Sequence, residues 1–323
     1  DAARRVAAAA LDREVELAGP VEPLVGSHGR GAFTCQVAGD APEPWDRAVV
    51  VRVADPSSAV RERDWHAFLV EGGHPVPAAL GALPVDDERT ALVLAQGPSL
   101  TLMEALGVNP IAIPQLLRSM AEAHAALHRV PVDGAPGGDP AAAPLAQLDR
   151  ALADPELEAT FGAARRRLAE NPPAPGRPVV CHGDLQPASM RLEGDDTSTA
   201  MLVNWSSARV GDAEDDVALT SLMFWSAPYL AEGMGQRKMM KTVRDMIIDG
   251  YRAAYEGAGG TVALDADRLR YWGAVHALVM AVRLAEADRR GGPADAWDPV
   301  ALVHHPGPYR KDLARRVARL TRG

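Results

Sequence analysis

Hydrophobic positions fall into two regimes along the chain. Up to about residue 55 they come as short runs, PLVGS, GAFTCQVAGD and RAVVVRVAD, separated by Gly, Pro and Asp. That pattern predicts an antiparallel meander, with GDAPEPWD as the loop between the last two strands. The opening DAARRVAAAALDREVELAGP reads as a short helix leading into it; its interspersed charges leave no apolar stretch of the kind a secretory leader needs. In AVRERDWHAFLVEGG the period changes: Val60, Trp65, Phe68 and Leu69 recur at helical spacing, and Gly72 and Gly73 supply a stop.

TALVLAQGPSL predicts a buried strand ending in a Gly-Pro break, a natural crossing into the rest of the chain. Beyond it helical spacing dominates. Ile113, Leu117, Met120, His124 and Leu127 share one face of a helix that Pro131 ends, and VPVDGAPGGDPAAAP reads as a loop. Further helices are predicted at 143–153, 155–170, 213–231, 235–257, 266–289 and 308–321. Between them, RPVVCHGDLQPASMRLEGDDTSTAMLVNWSSARVGDAEDDVAL reads as strand, loop, strand, loop, strand, then a polar loop in which Gly-Asp opens a helix.

Composition narrows the classes. With 323 residues, 47% of them hydrophobic and 24% charged, the chain can bury a large core in two lobes, and its apolar runs are too short for a membrane span. A net charge of -9 with scattered basic residues argues against a nucleic-acid partner. Cys35 and Cys181, far apart, make neither a disulfide framework nor a metal cluster, which points to a reducing cytoplasm. The lysines are Lys238, Lys241 and Lys311, so any cation earlier in the chain is an arginine. His124 and His128 read as packing residues, and His304 and His305 have no partner at metal-ligand spacing. The Met-rich stretch from Ser221 to Ile248 reads as core that also offers lining for an acceptor pocket.

The chemistry-bearing stretch is CHGDLQPASMRL, residues 181–192. Taken with VNW (203–205) and GDAEDD (211–216), it resembles the aminoglycoside phosphotransferase and choline kinase-like family, whose fold is similar to that of protein kinases. The family motifs run H-G-D-x-x-x-x-N, I-D-W and G-D-P-x-x-D-L-A. His182, Gly183 and Asp184 match the first, Trp205 the second, and Gly211, Asp212 and Asp216 the third. VVVRVAD, RERDWHAFL, HPVPAALG and YRAAYEGAGG carry the resemblance over most of the chain. It implies an α+β, two-lobed protein-kinase-like fold. Residues 1–96 would form a small antiparallel-sheet nucleotide-binding lobe, and 97–323 a larger, mostly helical lobe with the H-G-D loop and an acceptor pocket.

Phosphoryl transfer is mostly positioning and charge neutralisation: a cation on the phosphates, divalent metal held by acid and amide groups, and an acid that orients the acceptor hydroxyl. The resemblance implies Asp184 and His182 as catalytic positions and Arg52, paired with Glu62, as the phosphate cation. It implies Gly26, Ser27, Gly29 and Gly31 of the turn GSHGRGAF as a phosphate cradle, with Leu94 and Gln96 as further nucleotide contacts. Two positions depart from the family. The loop Asn is Ser189 and the Asp of I-D-W is Asn204, and a carboxylate holds Mg²⁺ far better than an amide or a hydroxyl. On the residues alone, Arg52 and Glu62 also fit a surface strand arginine and a solvated helix acid, and another register would hide different ligands.

Two functions compete. The first is a pseudokinase that binds ATP or a small metabolite weakly or not at all, with Mg²⁺ weak or absent and a protein as partner. The second is an active ATP-dependent O-phosphotransferase acting on a small hydroxylated molecule through a rearranged metal site. The paired change at Ser189 and Asn204 favours the first. A new reaction in the old cleft, run by Asp184 and His182, is a third reading.

Overall fold

The computed structural model describes residues 2–23, 32–43, 45–98, 100–102, 104–105, 112–137, 143–193, 196–229, 234–259, 263–292 and 306–320. Strands β1 (Glu22–Pro23), β2 (Ala32–Gln36), β3 (Ala48–Ala54), β4 (Ala79–Pro84) and β5 (Thr90–Ala95) form one antiparallel sheet in the order β1-β2-β3-β5-β4. The two-residue side-chain period of β3 sorts its neighbours. Val49 and Val51 pack with Cys35, Trp45, Ala91, Val93 and Val6 of α1 (Ala2–Leu11). On the other face, Val50 and Ala54 meet Leu92, Leu94 and Ala59 of α2 (Pro56–Glu71), and Arg52 lies between them in register with Leu92.

Helix α2 begins where sequence signals say it should. Pro56 opens it, and the Asp55 carboxylate accepts the Ser58 N–H at 2.9 Å; hydrogen bonding from the Ser58 side chain does most to hold the Asp55 pKa down at about 2. The helix buries Ala59, Glu62, Trp65, His66 and Leu69 along one stripe. Its first turn therefore sits on the sheet, while Trp65 and Leu69 enter the larger core of the helical region. A charged Glu62 inside that stripe needs a partner, and β3 supplies it.

Past β5 the chain enters β6 (Leu100–Thr101), which pairs with β8 (Met190–Glu193) and, through it, β9 (Asp196–Leu202); β7 (Pro178–Cys181) pairs with β10 (Arg209–Asp212). The rest is helical: α3 (Ile113–Leu127), α4 (Pro144–Ala151), α5 (Pro155–Glu170), α6 (Ala213–Ser226), α7 (Met234–Gly257), α8 (Ala266–Arg289) and α9 (Pro306–Leu320). No helix among the described residues is long and apolar enough to cross a membrane.

Several elements differ from expectation. ALGALP, which carries no clean alternation, is strand β4 because β5 provides its ladder. The polar loop after Trp205 contains β10, paired residue by residue with β7 from Arg209 opposite Cys181 to Asp212 opposite Pro178. The helix predicted over 213–231 stops at Ser226, and a 3₁₀ turn follows at Ala227–Tyr229, where Pro228 cannot donate the next helical bond. Of the first predicted strand only Pro23 is described, and the turn with Gly26, Ser27, Gly29 and Gly31 lies outside the described residues.

Candidate functional site

Strand β7 delivers its C-terminus to a sharp loop. Gly183 holds φ +76°, and a Cβ there would overlap the Ser207 carbonyl oxygen and the Arg209 guanidinium, so only glycine fits. The loop is gripped from α6. Asp216, in that helix's first turn and fully buried, accepts the His182 N–H at 2.6 Å through Oδ2 and the Gly183 N–H at 2.8 Å through Oδ1. Thr220, one turn on, donates its hydroxyl to the Leu185 carbonyl at 2.8 Å. Asp184 emerges half-buried from this frame, with the Gln186 amide donating to its Oδ1 at 3.4 Å.

His182 does not present a free ring. It is wholly buried; Nε2 donates to the Val203 carbonyl at 2.9 Å while Nδ1 accepts the Asp184 N–H at 3.3 Å. Burial lowers its pKa and keeps the ring neutral, although the Asp216 and Asp184 carboxylates pull the other way. The geometry thus fits His182 for fixing the loop better than for touching a substrate.

Across from the loop, Arg52 of β3 and Glu62 of α2 form an ion pair at 2.5 Å, 6% and 1% exposed at their side chains. The surface reading of these two residues is thereby set aside. The same Nη1 of Arg52 also reaches Asn204 Oδ1 at 3.4 Å. Asn204 adopts φ +72°, ψ +58°, a left-handed conformation that Asn tolerates better than most residues, and it opens the 3₁₀ turn Trp205–Ser207. Ser189, also fully buried, donates its hydroxyl to the Asp184 carbonyl at 3.1 Å and so closes the loop on itself. Leu94 is buried against α2, and Gln96 is exposed just past β5.

These donors can be judged against Mg²⁺. One neutral hydroxyl, already donating to its own loop, and one neutral amide, already bonded to a guanidinium, do not match the carboxylate-rich oxygen set this ion takes. The charge count agrees. Arg52 and Glu62 cancel, and with Asn at 204 the group is neutral as it stands; an Asp there would leave a surplus negative charge for a metal to answer.

One part of the site was not read from the sequence. Asp216 Oδ2 also faces His124 Nε2 at 3.0 Å, on α3, and His128 Nε2 at 3.4 Å, the C-cap of that helix. The opposite ring nitrogens meet the Tyr251 hydroxyl at 2.5 Å and the Tyr255 hydroxyl at 2.6 Å, both on α7. The ligand atoms of His124, His128 and Asp216 lie within 4.8 Å of one another, a metal-like cluster, yet each already has a protein partner. Burial pushes the His128 pKa down to about 4, so this ring is neutral near pH 7. The available signal was the shared spacing of H-x-x-x-H and Y-x-x-x-Y, which lets parallel helices α3 and α7 pair the four side chains one turn apart.

Comparison with solved structures places this arrangement among known folds. A protein of Ralstonia eutropha JMP134, described as a candidate aminoglycoside phosphotransferase, superposes with a TM-score of 0.67 over 98% of both chains at 18% identity. An aminoglycoside-3'-phosphotransferase of type VIII gives 0.59 at 18% identity, covering 82% of this chain and 93% of its own. A thermostable mutant of the aminoglycoside phosphotransferase APH(4)-Ia, in ternary complex with ADP and hygromycin B, gives 0.58 at 15% identity over 100% of this chain and 98% of its own. At these identities the likeness establishes the kinase-like fold. No curated protein sequence matches the chain. The sequence pattern of the phosphotransferase enzyme family, by contrast, matches residues 41–272, which take in β3, α2, the loop after β7 and the Asp216 anchor, and the chain belongs to that family.

Proposed function

We propose that this protein is a pseudokinase of the phosphotransferase family: a nucleotide- or metabolite-binding protein in which Mg²⁺-dependent transfer is impaired. The observation that carries the reading is the contact of Arg52 Nη1 with Asn204 Oδ1, which joins the strand cation to the position where the family keeps its metal-binding acid. ADP in the APH(4)-Ia complex supports a nucleotide as the ligand class, held between residues 1–96 and 97–323. Arg52 would meet its phosphates, since Arg52 Nε is buried without a protein partner among the described residues. Asp184 would face the hydroxyl of a small molecule, with His182 as its positioning residue. A protein partner would read out the bound state. Cys35 and Cys181, both buried and free, fit a reducing cytoplasm.

The reading is tested by titrating ATP with and without Mg²⁺. The expected result is weak binding that changes less than about threefold with the metal; tightening beyond about tenfold, roughly 1.4 kcal/mol, overturns it. A second reading, an active small-molecule O-phosphotransferase with a rearranged metal site, is favoured by the complete anchoring of the Asp184 loop through Asp216 and Thr220. Phosphate transfer to a hydroxylated acceptor that disappears in Asp184→Asn would establish it.

A further inference from the structure

The three lysines of this acidic chain all lie on α7 or α9. Between those helices, over Trp225 of α6, is a cavity of about 510 Å³ lined by Lys241, Arg244, Arg315, Arg319 and Asp312. A second hollow of about 380 Å³, lined by Arg237, Lys238 and Thr242, adjoins it and shares Lys241. Arg244 and Arg316 lean on the Trp225 ring from 5.4 and 5.2 Å, which fixes both guanidiniums beside the cavity.

The negative charge nearby is already engaged. Asp312 accepts from the Tyr229 hydroxyl and from Lys241 at 3.0 Å and lies 3.5 Å from Arg315, while Asp245, on the solvent side, takes Arg244 Nε. Arg252, whose Nε is spent on the Ser221 hydroxyl, has Asp249 as its charge partner. Burial, with repulsion from Arg252, Arg244 and Arg319, lowers the Arg316 pKa to about 10. Arg316 Nε, and both Nε and Nη2 of Arg237, are shielded from solvent without a hydrogen-bond partner among the described residues. A merely solvated basic face would spread its charges into water; here cations converge on an open groove and leave shielded donors unused.

We propose that the groove between α7 and α9 binds a small polyanion bearing phosphate or carboxylate groups. Guanidinium forks and ammonium groups at these spacings suit several anionic oxygens at once, and the same charge turns away polycations. The groove lies near the H-G-D loop: on α6, Trp225 is five residues beyond Thr220, about 7.5 Å of helix rise. The proposal is independent of whether the cleft at Arg52 binds nucleotide.

The experiment is calorimetric titration of the intact protein with pyrophosphate and, separately, citrate, with a neutral polyol as control. Saturable binding of at least one anion is expected, weakening with salt, and Lys241→Gln/Arg244→Gln should raise its dissociation constant at least tenfold. Because Arg244 rests on Trp225, Arg315→Gln/Arg319→Gln, at more exposed positions, serves as the second variant; it should weaken binding severalfold with an unchanged thermal midpoint. Preference for pyrophosphate or citrate tells phosphate from carboxylate. Arg52→Met/Glu62→Gln, which strands no buried charge, should leave the anion's affinity unchanged. No saturable binding, binding indifferent to both groove variants, or binding lost in that folded double variant instead would each overturn the assignment.

Discussion

Replacing Asp216 by Asn tests whether the buried carboxylate holds the loop that presents Asp184. The change preserves shape and removes one acceptor. In its best orientation the amide oxygen takes over the three donors at Oδ2, from His182, His124 and His128, and the new NH₂ then faces the Gly183 N–H. Orphaning that donor costs about 1–3 kcal/mol, and demoting three charge-assisted bonds to neutral ones costs about 0.5–1 kcal/mol each. Relief from burying a charge returns part of this, leaving a net loss of about 3 kcal/mol, near the low end for breaking a buried charged contact. Urea unfolding at pH 7 measures the loss, and hydrogen exchange at the His182 and Gly183 amides should accelerate in parallel. Asp212, whose part-buried side chain accepts the Gly176 N–H and the Trp272 indole N–H beside Arg268, lies closer to solvent, and Asp212→Asn should cost less than about 1 kcal/mol. Burial by itself would raise the Asp216 pKa, but the contacts with His124 and His128 hold it well below the carboxylate range. Its stabilisation is therefore full above about pH 4 and fades below, so the gap between wild type and variant should narrow in acid. A loss under about 1 kcal/mol with unchanged amide protection would refute the anchoring role.

Other outcomes follow from the same geometry. Ser189→Asn with Asn204→Asp should restore Mg²⁺-dependent ATP binding more than the two single changes summed, because both donors would serve one ion; strictly additive effects in a binding cycle would contradict this. Gly183→Ala should destabilise the fold by about 2–5 kcal/mol, from the left-handed backbone and the overlap with Ser207, and an unchanged thermal midpoint would contradict it. Burial lowers the pKa values of His66, His74 and His128 to about 4, so unfolding takes up protons between pH 6.5 and 4. Stability should fall as pH drops through that window, by up to about 1.4 kcal/mol per unit for each ring, and a urea midpoint flat from pH 7 to 5 would argue against buried neutral rings.

How far the site could be read in advance differs from residue to residue. Asp184 was legible because Gly183, Asp216 and their neighbours occur at fixed offsets, and those offsets are what the loop's hydrogen bonds require. Arg52 and Glu62 were legible as a pair only through the resemblance; periodicity places one on a strand and the other on a helix without saying that the two faces meet. His182 looked like a reactive ring in the sequence, and burial with two bonded nitrogens gives it another task.

The chain's own pattern determined the local elements: the alternation in AVVVRVA, the Asp55-Pro56 start of α2, and the helical stripes of α3 and α8 depend on neighbours a few residues away. It also determined that positions 189 and 204 carry a hydroxyl and an amide. Tertiary structure alone decided what lies opposite what. Strand β4 exists because β5 pairs with it, Arg52 reaches Asn204 across 152 residues of sequence, and the His-Asp-Tyr cluster and the basic groove over Trp225 each gather side chains from several helices. Such contacts depend on how elements dock, and docking is set by the summed burial of whole faces, which no short window of sequence contains.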